Sequence, residues 1–108
     1  MKMNKQRRLR IDIQKKLKQW SIDVRNRDGN KCCICDSTKF LNAHHILPKE
    51  AKRYRDLRFD IDNGITLCSK HHKYSYQNSP HKNPLVFITW LIHNKSEQLS
   101  KIYQESQI

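Results

Sequence analysis

The sequence predicts a small α+β domain, in which flanking helices surround a two-stranded antiparallel ribbon and a structural zinc site. Three observations lead to this prediction. All four cysteines and four of the six histidines fall within residues 31–73. Two short apolar segments in that region are separated by a long charged connection. Apolar residues at helical spacing occur before and after it. The central segment is therefore expected to organise the fold.

The length and charge of the chain limit the number of domains and the class of binding partner that we expect. A chain of 108 residues has room for one domain. With 36% hydrophobic and 30% charged residues the core is thin, and small chains of this kind often depend on a structural metal. The formal net charge of +12 indicates an anionic partner, most simply a nucleic acid and secondarily an acidic membrane surface.

The expected compartment is inferred from two sequence features, a membrane-spanning run and a secretory signal, neither of which we find. No apolar run is long enough to cross a bilayer, and no apolar stretch follows the basic N-terminus as a secretory signal requires. We therefore expect a cytoplasmic protein without a membrane partner. In that reducing environment cysteines at short spacing indicate metal ligands rather than disulfides.

The N-terminal part is predicted to be a basic arm followed by a helix. Residues 1–10 are expected to form a flexible arm that contacts phosphates when DNA is bound. Residues 11–28 are expected to be helical and to end at Gly29 and Asn30. Trp20 is expected to anchor this helix in the core rather than to stack on DNA. The apolar face of the helix comprises Ile13, Leu17, Trp20 and Val24.

Residues 31–78 are predicted to form a zinc-stapled core of strand, strand and helix. The strands are expected at residues 40–46 and 65–67, joined through a turn at Asn63 and Gly64, and a short helix at 68–77. A long basic connection within so small a domain is usually functional. Its arginines and a nearby lysine are expected to contact the DNA backbone: Arg53, Arg55, Arg58 and Lys73.

Residues 84–105 are predicted to form the C-terminal helices. Pro84 is well placed as the first residue of one helix, since its fixed φ suits that position. Ser96 is expected to cap the next helix.

Four residues are predicted to bind structural zinc. Zinc prefers a tetrahedron of nitrogen or sulfur donors, and pairs of ligands two residues apart supply it from two short segments. The pairs with that spacing are Cys32 with Cys35 and Cys68 with His71. Cys33 in place of Cys32, or His72 in place of His71, are the alternative registers. A site with four protein ligands has no open position, so it would support folding rather than catalysis.

The remaining polar residues suit phosphodiester chemistry. We expect His44 and His72 to bind a divalent cation that neutralises charge on the scissile phosphate. Neighbouring strand residues point to opposite faces, so His45 is assigned a different task, that of general base. Asn63 either orients that base across the ribbon or coordinates the cation. The surplus of histidines beyond the zinc ligands distinguishes a nuclease from a zinc-stabilised DNA- or RNA-binding module without catalysis.

The ordered motifs resemble those of the HNH endonucleases, which have the ββα-metal (His-Me finger) fold. The resemblance extends over residues 20–90 and is closest to the small type found in phages and mobile elements. It rests on four stretches: residues 27–32 (RDGNKC), 43–46 (AHHI), 63–68 (NGITLC) and the pair His71 and His72. Relatives usually have a second pair of cysteines at the zinc site, where this chain has Cys68 and His71.

The resemblance implies a DNA endonuclease that uses Mg²⁺, Mn²⁺ or a similar divalent ion and leaves 5′-phosphate ends. It assigns His45 as the base, Asn63 as the family asparagine, and His72 and His44 as ligands of the catalytic cation. It also implies double-stranded DNA as substrate, a bacterial host cell and a packaging or other nuclease partner. Relatives often have a further histidine soon after the last ligand. The nearest here is His81, which is expected to contact phosphate or metal.

Overall fold

The computed structural model describes residues 4–74 and 79–107, the side chain of Tyr74 excepted, and has the predicted α+β architecture. Between the helices and strands, 3₁₀ turns span Lys52–Leu57 and Ile61–Asn63, and a π-helical segment spans Lys70–Tyr74. The last part of the helix predicted at 68–77 lies outside the described residues. The elements are α1 (Lys5–Arg27), β1 (Leu41–His45), β2 (Gly64–Cys68), α2 (Pro84–Asn94) and α3 (Ser96–Ser106).

The two strands form the antiparallel ribbon, with Leu41 opposite Cys68 and His45 opposite Gly64. Every residue of β2 is buried. The predicted turn at Asn63 and Gly64 ends earlier than expected: Asn63 is the last residue of the 3₁₀ turn Ile61–Asn63, whereas Gly64 has extended dihedrals and begins β2. A Cβ at Gly64 would lie 2.6 Å from side-chain atoms of both Trp20 and Val24. The lack of a side chain at Gly64 therefore allows α1 to pack closely against the ribbon.

Helix α1 is longer than predicted. It begins at Lys5, and the side chain of Asn4 caps it by accepting a 2.8 Å hydrogen bond from the backbone N–H of Arg7. Residues 5–10, expected to belong to a flexible arm, are exposed turns of this helix. The predicted apolar face is present, and its C-terminal members Trp20 and Val24 are buried against the ribbon.

An arginine–aspartate pair fastens the end of α1 to β2. The carboxylate of Asp28 accepts a 2.9 Å hydrogen bond from the backbone N–H of Thr66 and lies 3.0 Å from the guanidinium of Arg27. Arg27 also donates to the carbonyls of Ile61 and Gly64. Burial raises the pKa of Asp28, but the hydrogen bonds from Arg27 and Thr66 outweigh it and leave the pKa below its ordinary value.

Helices α2 and α3 complete the core on the ribbon. Pro84 is the first residue of α2, as predicted. The predicted cap at Ser96 is wrong, since Lys95 holds the cap position, no side chain bonds there, and Ser96 is already helical. Among the described residues no helix is both long and apolar enough to cross a membrane. The central buried cluster consists of Cys32, Ile65, Leu67, Cys68, Phe87 and Leu91.

Candidate metal centres and active site

The predicted zinc ligands converge at one point. The donor atoms of Cys32, Cys35, Cys68 and His71 all lie within 4.8 Å of one another. The two cysteines of the first pair lie on the turn after α1, Cys68 is the last residue of β2, and His71 lies on the π-helical segment. Two candidate ligands therefore come from the segment before β1, and two come from the end of β2 and the segment after it.

The spacing of these atoms fits a tetrahedral zinc ion. Zinc–sulfur bonds of about 2.3 Å and zinc–nitrogen bonds of about 2.0 Å separate tetrahedral ligand atoms by about 3.5–3.8 Å. The Sγ atoms of Cys35 and Cys68 are 3.7 Å apart. The Nδ1 atom of His71 lies 3.7 Å from Cys32 Sγ and 3.3 Å from Cys68 Sγ. This cluster can hold zinc without rearrangement of its backbone.

The geometry favours Cys32 over Cys33 as the first ligand. Burial of Cys32 raises its thiol pKa, but backbone hydrogen bonds around Sγ from Cys68, Cys35 and Ile34 outweigh it, so the net shift is downward. Burial and the nearby charge of Asp28 instead raise the pKa of Cys33 to about 11. Cys33 is not a member of the cluster, and it packs as a small apolar side chain against the core.

Three histidines form a second cluster. His72 Nε2 lies 3.1 Å from His44 Nδ1 and 3.2 Å from His81 Nε2. For metal–nitrogen bonds of about 2.1 Å, ligand atoms of one ion are separated by about 3.0–3.4 Å in octahedral or tetrahedral coordination. His44 and His72, predicted as ligands, therefore face one point together, and His81 is the third member.

Ser79 holds His81 in this cluster. Its buried hydroxyl donates a 2.7 Å hydrogen bond to the carbonyl of His72 and accepts one from the backbone N–H of His81. A turn follows, in which the N–H groups of Lys82 and Asn83 donate to the carbonyl of Ser79. The sequence did not predict this arrangement, because His72 and His81 are nine residues apart and a single serine belongs to no recognisable motif.

The imidazoles of His44 and His72 are neutral at neutral pH. Burial and the neighbouring His72 and His81 lower the pKa of His44 to about 3. Burial and the charges of His81 and Lys73 lower the pKa of His72 to about 4. Neutral rings carry the free lone pairs that a metal ion requires. The cluster is thus ready to bind a cation.

His45 and His44 have different ring partners, as expected for neighbours on a strand. The Nε2 of His45 donates a 2.9 Å hydrogen bond to the carbonyl of Arg58. A carbonyl only accepts, so Nε2 carries the proton and the neutral ring has its lone pair on Nδ1. Burial is the main cause that lowers the pKa of His45, with the charge of Lys49 adding to it.

The indole of Trp20 stacks on one face of the His45 ring. The two rings stack with centroids 3.8 Å apart and planes 7° from parallel. The indole Nε1 donates a 2.7 Å hydrogen bond to the carbonyl of Asp60, which fixes the indole. Trp20 is a core residue as predicted, but its contact with His45 joins chain segments too distant for sequence periodicity to relate.

Asn63 is completely buried beneath the loop that follows β1. Its amide oxygen accepts a hydrogen bond from the N–H of Leu47, and its amide nitrogen donates to the carbonyls of Leu47 and Leu57. These bonds tie the start of the long connection to its end. Among the described residues, the hydrogen bonds of this side chain go to Leu47 and Leu57 and not to either metal cluster, which favours the positioning alternative.

One cleft of about 560 Å³ contains the three-histidine cluster and also His45. It is lined by His44, His45, His72 and His81, together with Lys49 and Lys73. Arg55 and Arg58 line a neighbouring cleft that shares Lys49 and Glu50 with the first. Arg53 lies in neither cleft, and its guanidinium is placed over the ring of Tyr54. A basic rim therefore accompanies the histidines.

Comparison with known families identifies the central segment. The family model described as HNH endonuclease matches residues 32–77. That segment contains the four candidate zinc ligands and three of the four histidines of the cleft. The curated proteins and the solved structures give no match. Over residues 32–77 the chain is therefore similar to the HNH endonucleases, and an HNH domain suggests nuclease activity on a nucleic acid.

Proposed function

We propose that this protein is a metal-dependent DNA endonuclease that hydrolyses phosphodiester bonds in the cleft lined by His44, His45, His72 and His81. The observation that carries the proposal is the placement of a three-histidine cluster in the same cleft as an imidazole with a fixed tautomer. A binding module needs neither. The basic composition, with a net charge of +12, agrees with a polyanionic substrate.

His45 is the general base of the proposed reaction. Its Nε2–H is engaged by the Arg58 carbonyl, so Nδ1 is the nitrogen that accepts a proton from the attacking water. Burial lowers the pKa of His45, and the ring is therefore unprotonated at neutral pH. Stacking on Trp20 restricts rotation of the ring and keeps Nδ1 aimed in one direction.

His44, His72 and His81 hold the catalytic cation in this proposal. When bound, the ion neutralises charge developing on the scissile phosphate and on the leaving oxygen. The three donors are imidazole nitrogens, which suit transition metals, whereas Mg²⁺ prefers oxygen ligands. We therefore expect Mn²⁺, Co²⁺ or Ni²⁺ to bind more tightly than Mg²⁺.

The other predicted residues support the site. The sulfur-rich cluster around Cys32 holds zinc and fixes the ribbon without an open coordination position. Asn63 fixes the loop between β1 and the carbonyl that orients His45. Lys73 and Lys49 are placed to hold phosphate oxygens of the bound strand.

A plasmid assay with a panel of divalent ions tests the chemistry. The parent protein should convert supercoiled DNA to nicked or linear forms, and His45→Ala should lower the rate by at least about 100-fold, since general-base catalysis contributes about 10²–10⁴-fold. Zinc content and DNA binding should stay unchanged. The matched control is His93→Ala, because His93 is an exposed histidine on α2 that bonds only to the carbonyl of Thr89.

Two outcomes would contradict the proposal. Cleavage by His45→Ala at the parent rate would remove His45 from the mechanism. DNA binding without cleavage under any divalent ion would favour the zinc-stabilised binding module instead.

A further inference from the structure

A basic surface extends from the cleft towards the N-terminus of α1. The cleft with the histidines and the neighbouring cleft share Lys49 and Glu50. The neighbouring cleft is bounded by Ile13 and Leu17 of α1 on one side and by Arg55 and Arg58 on the other. The two clefts are therefore adjacent, and the second lies between α1 and residues 49–58.

The N-terminal half of α1 continues this surface beyond the core. Residues 4–10 are all exposed, and the side chains buried by α1 are near its other end. Residues 5–18 contain seven basic residues and one acidic residue, and residues 49–58 contain five basic and two acidic. In the described part of the chain the ion pairs are Arg27–Asp28 and Lys31–Asp36, so none involves these basic residues.

We propose that residues 5–18 of α1 and residues 49–58 form a flank surface, which binds the backbone of double-stranded DNA several base pairs away from the cleaved bond. This inference rests on the proposed nuclease function, because it takes the cleft of His45 as the place of cleavage. It assigns α1 a role in recognition beyond its packing against the ribbon.

The distances give the size of the DNA that this surface needs. Trp20, which stacks on His45, and Arg7 belong to the same helix. At a rise of about 1.5 Å per residue, Arg10 and Arg7 lie about 15–20 Å along the helix from Trp20. With about 3.4 Å between base pairs, that length corresponds to about five base pairs of duplex. Contact with both places therefore requires a duplex longer than about five base pairs.

The aromatic residues favour a duplex over a single strand. Proteins that bind single strands stack bases on exposed aromatic rings. The flank surface has aromatic residues at or beside its connection, but cations cover both rings: Arg53 lies over Tyr54, and Lys16 and Arg58 lie over Phe59. A straight basic helix beside a basic connection instead suits phosphates arranged along a stiff duplex.

The test measures DNA binding without cleavage. The full zinc-loaded chain with His45→Ala is titrated, without added catalytic cation, against fluorescent DNA hairpins with stems of about 4 and about 16 base pairs. A DNA single strand and an RNA hairpin with the long stem are titrated in the same way. Arg7→Gln with Arg10→Gln removes two charges, and glutamine maintains the helix because its helix propensity is similar. The control is Lys95→Gln with Lys101→Gln, since these lysines lie near Arg27 at the opposite end of α1.

We expect the α1 variant to bind the long stem about tenfold more weakly and to reduce the salt slope by about two, as loss of two phosphate contacts predicts. On the short stem, which cannot span cleft and helix, parent and variant should differ by about twofold or less. The control variant should match the parent on both stems.

Three results would overturn the proposed flank surface. They are an equal loss of affinity on both stems, an equal loss of affinity in the control variant, and the same loss of affinity for a single strand. Loss confined to RNA duplexes would overturn its assignment to DNA. Because no step requires cleavage, these results are separable from the nuclease proposal. An inactive protein could show the length dependence, and an active one could lack it.

Discussion

His45 obtains its orientation from two residues distant along the chain. The Arg58 carbonyl engages Nε2, and the indole of Trp20 covers one face of the ring. Aromatic pairs contribute about 0.5–1.5 kcal/mol beyond their buried area, so the stack favours one orientation of the imidazole ring. The reactivity of this histidine therefore depends on α1 and on the long connection as well as on β1.

Ser79→Ala tests the link between His72 and His81. Loss of the hydroxyl removes a hydrogen bond to the His72 carbonyl and one from the His81 N–H, so the third imidazole should lose its position. We expect the affinity for Mn²⁺ or Co²⁺, measured calorimetrically on zinc-loaded protein, to fall by about 10–100-fold, as loss of a supporting contact commonly costs.

The matched control for that measurement is Ser37→Ala, since Ser37 lies on the turn near the zinc cluster and not at the histidines. Unchanged cation affinity in Ser79→Ala would show that His81 is positioned without the hydroxyl.

At the scale of elements, the contact between α1 and the ribbon positions the active site. The helix packs over Gly64 through Trp20 and Val24, and Arg27 and Asp28 bind the adjacent backbone of β2. Gly64 and His45 face each other across the ribbon. A displacement of α1 would therefore move the ring that stacks on His45.

Gly64→Ala should destabilise the protein. A Cβ would lie 2.6 Å from atoms of Trp20 and Val24, well inside van der Waals contact. Overpacking of this kind costs about 1–3 kcal/mol, and each kcal/mol lowers the melting temperature of a small domain by about 4–8 °C. Cleavage should also decrease, because Trp20 must shift. Thermal melts by circular dichroism measure the first effect.

The comparison variant for Gly64→Ala is Ser96→Ala. Ser96 begins α3 without a capping hydrogen bond, so its replacement should leave the melting temperature nearly unchanged. Equal melting temperatures of Gly64→Ala and the parent would mean that α1 moves away without cost.

At the scale of the whole molecule, the candidate zinc site adjoins a thin core. Two of the four zinc ligands, Cys32 and Cys68, are also members of the buried cluster. The site joins the turn after α1 to the end of β2 and thereby closes the loop that contains β1 and the long connection. Because His71 belongs to the candidate zinc cluster and its neighbour His72 to the three-histidine cluster, zinc bound at the first cluster would also position the second.

Cys35→Ser should therefore abolish the cooperative thermal transition, as should removal of zinc by a chelator, since folding and metal binding are coupled in such sites. Cys33→Ser is the matched control. Cys33 lies outside the cluster, and its replacement should change the unfolding free energy by only about 1 kcal/mol. Melting of Cys35→Ser at the parent temperature would contradict a structural role for zinc.

Local patterns predicted much of the fold and site. Helical spacing identified the apolar face of α1, and the spacing of Cys32 with Cys35 and of Cys68 with His71 identified the zinc cluster, because these signals depend on a few neighbouring residues. Element ends were less predictable. The start of α1 at Lys5 depends on one cap, Asn4, and the role of Gly64 depends on a helix packed from another part of the chain.

The sequence by itself determined the α+β class, the four candidate zinc ligands, the basic character and the alternation of His44 and His45 along the strand, since composition, ligand spacing and strand alternation are local properties. Only the tertiary structure brought His81 to His72, laid Trp20 on His45 and buried Asn63 under the connection. Those contacts join residues far apart in the chain. They exist because the ribbon, α1 and the turn at Ser79 pack together, which no short stretch of sequence specifies.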